Sequence, residues 1–325
     1  MKKIICFSAF LYCCVGIAQV DPMPYEKEIK ENDLRNLLYV YASDYFEGRD
    51  TGSEGQRRAT AFLRHYYQSR QIEAAEGTED YFQNMSLIIK GDSVATQNVA
   101  AIIRGSEKAD EYIILSSHLD HVGMKDGKIY NGADDDGSGT VAMLEIADAF
   151  QKAKAAGHGP KRSVVFLHVS GEEKGLLGSK YYTENPLYPL DQTITNLNVD
   201  MIGRLDPKRK NPNPNYIYLI GSDKLSQELH DVSEQINSKY CKIELDYTYN
   251  DDADPNRFYY RSDHYNFAKN NIPIIFYFNG THDDYHKHTD TPDKINYDIL
   301  QNRTRLIFHT AWELANREKR ISLNK

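Results

Sequence analysis

Hydrophobic positions along the chain follow two different periods. Short, nearly continuous apolar runs bounded by polar turns recur at "NMSLIIK", "QNVAAIIRG", "EYIILSSH", "RSVVFLHVSG", "TITNLNVDMIG", "YIYLIG" and "IPIIFYF". Runs of this kind read as strands buried on both faces. Between them the spacing changes to that of helices. In "TVAMLEIADAFQKAKAAG" the apolar residues Val141, Leu144, Ala147 and Phe150 share one face, and Gly157 follows the last turn. "LLGSKYYTEN" and the long closing stretch "NYDILQNRTRLIFHTAWELANRE" have the same character. Near the start, a helical pattern from about Asp33 to Tyr67 breaks at the glycine-rich "FEGRDTGSEG", and Ser53 with Gln56 has capping-box spacing for the helix that follows. Strands alternating with helices predict an α/β domain of three layers, αβα. Its central sheet would be mixed and largely parallel, with functional groups beyond the carboxyl ends of the strands.

Composition narrows the picture. The 325 residues are 40% hydrophobic and 26% charged, without repeats or a Pro/Gly/Ser-rich linker, which suits one domain over residues 19–325. "MKKIICFSAFLYCCVGIAQ" has two lysines, a short apolar run and small residues at Gly16 and Ala18, which predicts a signal peptide over residues 1–18 cleaved after Ala18. The mature protein would be periplasmic or secreted, with no transmembrane segment after cleavage. "LYCC" lacks the small residue before cysteine that lipidation needs. Losing Lys2 and Lys3 takes the formal charge from −8 to −10, and losing Cys6, Cys13 and Cys14 leaves Cys241 alone. A disulfide framework and a thiolate metal site are thereby excluded. No Lys/Arg block offsets the acidity, which argues against nucleic acid as a partner.

The candidate chemistry lies at the ends of the apolar runs. "EYIILSSH" ends in His118, with Asp120 two residues on; "VVFLHVSG" runs into Glu172 and Glu173; "TNLNVD" ends at Asp200. After "IPIIFYF" comes "NGTHDDYHKHTDTPDK", rich in histidine and aspartate. Between them stands "YNGADDDGSGT", three adjacent aspartates before a helix. Alone, this could be an exposed capping turn. With imidazoles and carboxylates delivered to one sheet edge, a bound cation pair supplies the reason for the packed charges. One aspartate can bridge two ions, while one glutamate serves as ligand and its neighbour as proton acceptor. An Asp120 carboxylate accepting the second N–H of His118 would fix that ring's tautomer.

The motifs "HLDHVG", "NGADDDGSG", "SGEEKGLLGS", "NVDMIGR", "RSDHYNFAKNNIP" and "DYHKHTDTPDK" resemble, in order, those of the M28 zinc peptidases, and "ASDYFEGRDTGSEG" extends the likeness to Ser43. The resemblance implies two co-catalytic Zn²⁺, with Co²⁺ or Mn²⁺ also suited to the donors. His118 and Asp200 would hold one ion and Glu173 and His286 the other, with Asp135 bridging and a cis peptide after it. It further implies Glu172 as general base, Asp120 as the group orienting His118, and Tyr259, beside Tyr260, as oxyanion stabiliser. His288 is the reserve ligand. His121 and His264 are expected to hold loops by hydrogen bonds, and His168 to be a satisfied core residue. The implied function is removal of N-terminal residues from peptides with a free N-terminus. Carboxypeptidases and a single-zinc glutaminyl cyclase share the fold, and a non-catalytic zinc-binding or receptor module is the reading of another class.

Overall fold

The computed structural model describes residues 20–325, so the expected signal peptide lies outside the described residues. Its strands are β1 (Glu73–Ala74), β2 (Phe82–Ile89), β3 (Asp92–Ile103), β4 (Lys108–His118), β5 (Gly123–Lys125) and β6 (Lys128–Tyr130). They continue with β7 (Arg162–Val169), β8 (Thr193–Val199), β9 (Tyr216–Ile220), β10 (Glu244–Asp246) and β11 (Ile274–Phe278). Nine of them form one sheet in the order β1-β3-β7-β4-β8-β11-β9-β10, with β2 also on β3, while β5 and β6 make a separate hairpin. The central neighbours β7, β4, β8 and β11 are parallel, and β1, β2, β3 and β9 join the sheet antiparallel. The sheet is mixed, as expected, and its parallel centre delivers four carboxyl ends to one edge.

The helices are α1 (Met23–Glu26), α2 (Glu31–Tyr41), α3 (Glu54–Ser69), α4 (Gly139–Ala155), α5 (Leu177–Glu184), α6 (Gln227–Ile236), α7 (His264–Ala268) and α8 (Tyr297–Asn316). Successive strand side chains point to opposite faces. On β4, Ile113 and Leu115 join a core containing Leu144 of α4 and Phe308 of α8, whereas Tyr112 and Ile114 meet Tyr182 of α5 and Phe267 of α7. Helices therefore cover both faces, which is why β4 and β7 read as unbroken apolar runs. Ser53 caps α3 by accepting the Gln56 N–H (3.1 Å), while the Gln56 carboxamide reaches back to the N–H of Gly52 (2.6 Å). Among the described residues no helix is long and apolar enough to cross a membrane.

One buried acid on α4 makes the packing sensitive to pH. Glu145 is 4% exposed, and burial, then Asp33 and Asp148, push its carboxyl up to about 7. An acid raised on folding stabilises fully below its unfolded pKa near 4.5, and that contribution fades as pH rises through 7. The loss between pH 4.5 and 8 is on the order of 3 kcal/mol. Glu145→Gln should therefore melt with a smaller drop between pH 5 and pH 8 than the unaltered chain. Identical drops in calorimetric scans of the two proteins would refute the assignment.

Candidate metal centre

The three adjacent aspartates have divided tasks. The Asp136 carboxylate accepts backbone N–H bonds from His118 (3.1 Å), Gly139 (3.0 Å) and Met201 (3.1 Å), tying together the end of β4, the start of α4 and the end of β8. Asp134 accepts from Gly203 N–H (2.7 Å) and the Ser138 hydroxyl (3.0 Å), and lies 3.1 Å from Nε2 of His282. Asp290 accepts the N–H groups of Asp134 (3.0 Å) and Asp135 (3.2 Å). Glycine is required beside them: a Cβ at Gly139 would stand 2.4 Å from both Asp136 Oδ1 and the Val199 carbonyl. The Asp135–Asp136 peptide is cis. With both neighbours committed to backbone donors, the middle carboxylate is left to face the pocket.

There it meets the strand-end groups. His118 Nε2 lies 3.1 Å from Asp135 Oδ1 and 3.4 Å from Asp200 Oδ1. His286 Nε2 lies 3.0 Å from Asp135 Oδ2 and 3.3 Å from Glu173 Oε2. The five expected ligands are thus brought together. A sixth group joins them, correcting the reading of His121 as a loop-holding residue: its Nδ1 is 2.9 Å from Glu173 Oε1 and 3.7 Å from Asp135 Oδ2. The backbone turn after His118 directs this fully buried ring inward, and no hydrogen-bond partner engages either of its nitrogens. His118 Nε2, Asp135 Oδ2 and Glu173 Oε1 are buried without hydrogen bonds as well. Converging unpaired donors of this kind are costly unless a cation satisfies them, and their chemistry fits Zn²⁺.

The electrostatics point the same way. Burial alone would lower His118, but the Asp200 and Glu172 carboxylates outweigh it and hold the ring well above its usual value. His286 is likewise raised to about 10 against its burial, by Asp135 and Glu173. Burial would raise Asp135, yet His121, His118 and His286 keep it well below the carboxylate range. The pocket attracts positive charge. Glu172 behaves differently from its neighbours. Burial first, then Asp200, Asp263 and Glu173, push its carboxyl well up despite His118, whereas Asp135 and Glu173 are held down.

Supporting contacts come from distant parts of the chain. The expected bond from the Asp120 carboxylate to His118 is not formed. His118 Nδ1 lies 3.0 Å from the Asp120 backbone carbonyl, because the chain bends back directly after the strand. The carboxylate instead accepts the Thr51 hydroxyl (2.9 Å) and the Glu172 N–H (3.2 Å). Asp200 accepts the Ser262 hydroxyl (2.6 Å), which in turn accepts from Asn198 Nδ2 (2.8 Å). Arg49, fully buried in the 3₁₀ turn of "FEGRD", donates to the carbonyls of Leu119 (3.0 Å), Asn131 (2.7 Å) and Gly132 (2.9 Å). It clamps the His118–His121 loop to the loop that precedes the aspartates.

Tyr259, the expected oxyanion stabiliser, is not among the residues that line this pocket. Its turn aims the ring at Gly221, Tyr260, His264 and Tyr265, with the Lys224 ammonium 5.1 Å from its centroid. The tyrosine at the site is Tyr285, which lines the pocket beside Asp135, Glu172 and Asp200 and stacks on His286 at 3.9 Å. Its position directly before His286 in "DYH" was the available signal. Met201, Phe258, Phe276, Phe278 and Arg261 complete the pocket wall. The remaining histidines lie outside the cluster. His264 meets the Tyr259 carbonyl (2.8 Å), His288 meets Lys128 (2.7 Å), and His168 is satisfied by Tyr67 (2.6 Å) and Ser117 (2.9 Å).

Comparison with known proteins agrees with this arrangement. The model of peptidase family M28 matches residues 98–311. A probable leucine aminopeptidase of Arthroderma otae is 27% identical over 88% of this chain and 73% of its own length. A probable glutamate carboxypeptidase of Arabidopsis thaliana is 33% identical over 36% of this chain, which spans only 16% of that relative's length. Among solved structures, a zinc aminopeptidase from Bacillus subtilis superposes with a TM-score of 0.68 at 15% identity, over 91% of this chain and 98% of that one. At that identity the likeness speaks for the fold.

The Arg49 clamp is open to direct test. Arg49→Met would remove the guanidinium from all three carbonyls; Leu119 keeps the Tyr41 hydroxyl (3.1 Å) and Gly132 keeps the Gly137 N–H (3.2 Å), so the Asn131 carbonyl alone is left unsatisfied, at about 1–3 kcal/mol. Urea denaturation should show a loss on the order of 1–3 kcal/mol. A change within about 0.5 kcal/mol, the range of an ordinary surface substitution, would remove the clamp from the account.

Proposed function

The chain belongs to peptidase family M28, and from that premise we propose that it is an exported di-zinc aminopeptidase. The observation that carries the reading is the convergence of buried, unpaired nitrogen and carboxylate donors beside a glutamate whose carboxyl is pushed toward protonation. His118 and Asp200 would hold one ion, Glu173 and His286 the other, and Asp135 both. Zinc at these donors supplies Lewis-acid polarisation of a carbonyl and acidification of water.

The remaining work falls to side chains. Glu172 accepts the proton of the attacking water and returns it to the leaving amine, a task suited to a carboxyl with a raised pKa. The Asp120 carboxylate, itself held by Thr51, anchors the Glu172 backbone and so fixes the base. Tyr285, which lines the pocket where Tyr259 does not, would donate its hydroxyl to the developing oxyanion. Carboxylates around the pocket favour a protonated substrate amine, and the wall of Met201, Phe258, Phe276 and Phe278 favours an apolar first side chain. The N-terminal segment would be removed after Ala18, releasing the enzyme to the periplasm or exterior.

One observation favours a second reading. Arg261 also lines the pocket, and a guanidinium there would suit a substrate carboxylate, as a carboxypeptidase needs. Peptides blocked at either end separate the two. Aminoacyl amides should be cleaved, and N-acetylation should abolish turnover; cleavage that survives acetylation but fails on C-terminal amides would establish the carboxypeptidase instead. Glu172→Gln should retain its metal while hydrolysis falls by about 10²–10⁴. Undiminished turnover in that variant would remove Glu172 from its role.

A further inference from the structure

The ring of His121 has no assigned task, and its surroundings are specific. It is fully buried, neither nitrogen forms a hydrogen bond, and Nδ1 faces the Glu173 and Asp135 carboxylates at 2.9 and 3.7 Å. An oxygen at 2.9 Å that lies off the N–H axis is not a hydrogen-bond acceptor, but it is placed as a neighbouring donor to a shared ion would be. Donors sharing one tetrahedral Zn²⁺ with bonds of about 2.0–2.1 Å stand about 3.3–3.4 Å apart. The separations around Nδ1 bracket that value. His286 Nε2 reaches the same two carboxylates, at 3.0 Å from Asp135 Oδ2 and 3.3 Å from Glu173 Oε2.

The fold also reserves space for this ring. Gly132 has φ 56°, and a Cβ there would lie 2.5 Å from His121 Cγ and Cδ2. The His121 N–H donates to the Arg49 carbonyl (3.3 Å), while the Arg49 guanidinium holds the carbonyls of Leu119 and Gly132. One buried arginine thus sets both walls of the slot that aims the imidazole.

We infer that His121 is a further metal donor, so that the two ion positions are unequal. This rests on the metallopeptidase reading above. The position of Glu173, Asp135, His286 and His121 offers four protein donors, and that of His118, Asp135 and Asp200 offers three. A set of four protein donors holds an ion more firmly than a set of three, and the set of three leaves the more open place for substrate or water. The ion at Glu173 is therefore the tightly held one, and the ion at His118 is the exchangeable one that meets the substrate.

The test uses the full mature chain and binding readouts. Zinc stoichiometry and stepwise affinity are measured by competition with a chromophoric chelator for the unaltered protein, His121→Ala and His121→Asn. Loss of a ligand should weaken the tighter ion by more than about 100-fold, since partners that merely orient a ligand cost about 10–100-fold. Weakening within or below that range would overturn the donor assignment. Proton NMR of the Co²⁺-loaded unaltered chain keeps the question open to refutation even if the variants fail to fold. Exchangeable, hyperfine-shifted imidazole N–H signals from three histidines are expected, and signals from two would reject His121. A chain binding one ion whose affinity still collapses in His121→Ala would sink the di-zinc reading and spare this one. A chain binding none would sink both.

Discussion

The structure depends on confining Asp135, Glu172, Glu173 and Asp200 in one largely buried pocket. At effective interior dielectrics, neighbouring like charges repel by several kcal/mol. Two devices offset this. Carboxylates outside the pocket, those of Asp136, Asp134 and Asp290, are absorbed by backbone N–H groups. Those inside are faced by three imidazoles, whose nitrogens lie 2.9–3.7 Å from carboxylate oxygens. The second device is completed when cations replace imidazole protons. Such an exchange of protons for metal would make the pocket a site as well as a charge cluster.

The sheet explains how so many groups reach one place. Four adjacent parallel strands end at the same edge, so each contributes its following loop without a long excursion. Backbone donors then tie the loops to one another: Asp136 spans β4, α4 and β8, and Arg49 spans the loops after β4 and β6. A polar ladder within the core runs from Ser116 of β4 through Asn198 of β8 and Ser262 to Asp200, which is why asparagine and serine are tolerated in otherwise apolar strands. Ligand placement is thus a property of strand order and buried polar bonds, with little left to loop motion.

Around the pocket the proposed catalytic and positioning tasks fall to groups that differ in their surroundings more than in their chemistry. Glu172 and Glu173 are adjacent, yet burial and surrounding acids raise the first, while His121 and His286 lower the second to about 2. Environment alone would separate the proposed proton carrier from the proposed ligand. The Asp120 side chain bears on Glu172, and only its carbonyl bears on His118. One residue therefore connects the proposed base to a proposed ligand through two different atoms.

Much of this was legible along the chain. Strand and helix periods, the αβα class, the capping of α3 and the gathering of His118, Asp135, Glu173, Asp200 and His286 all follow from local pattern and motif order, because a short buried strand and the residue ending it are written consecutively. The satisfied state of His168 follows too, since a histidine amid valines must find partners or lose its charge. Contacts across the chain were not legible. The sequence offers no means to see that Arg49 reaches carbonyls some seventy to eighty residues away, that Tyr285 rather than Tyr259 faces the carboxylates, or that His121 turns inward. Those outcomes depend on which way a turn aims a side chain and which loop lies opposite. Spacing along the backbone names the groups available at the sheet edge; only the packed tertiary structure decides which of their atoms meet.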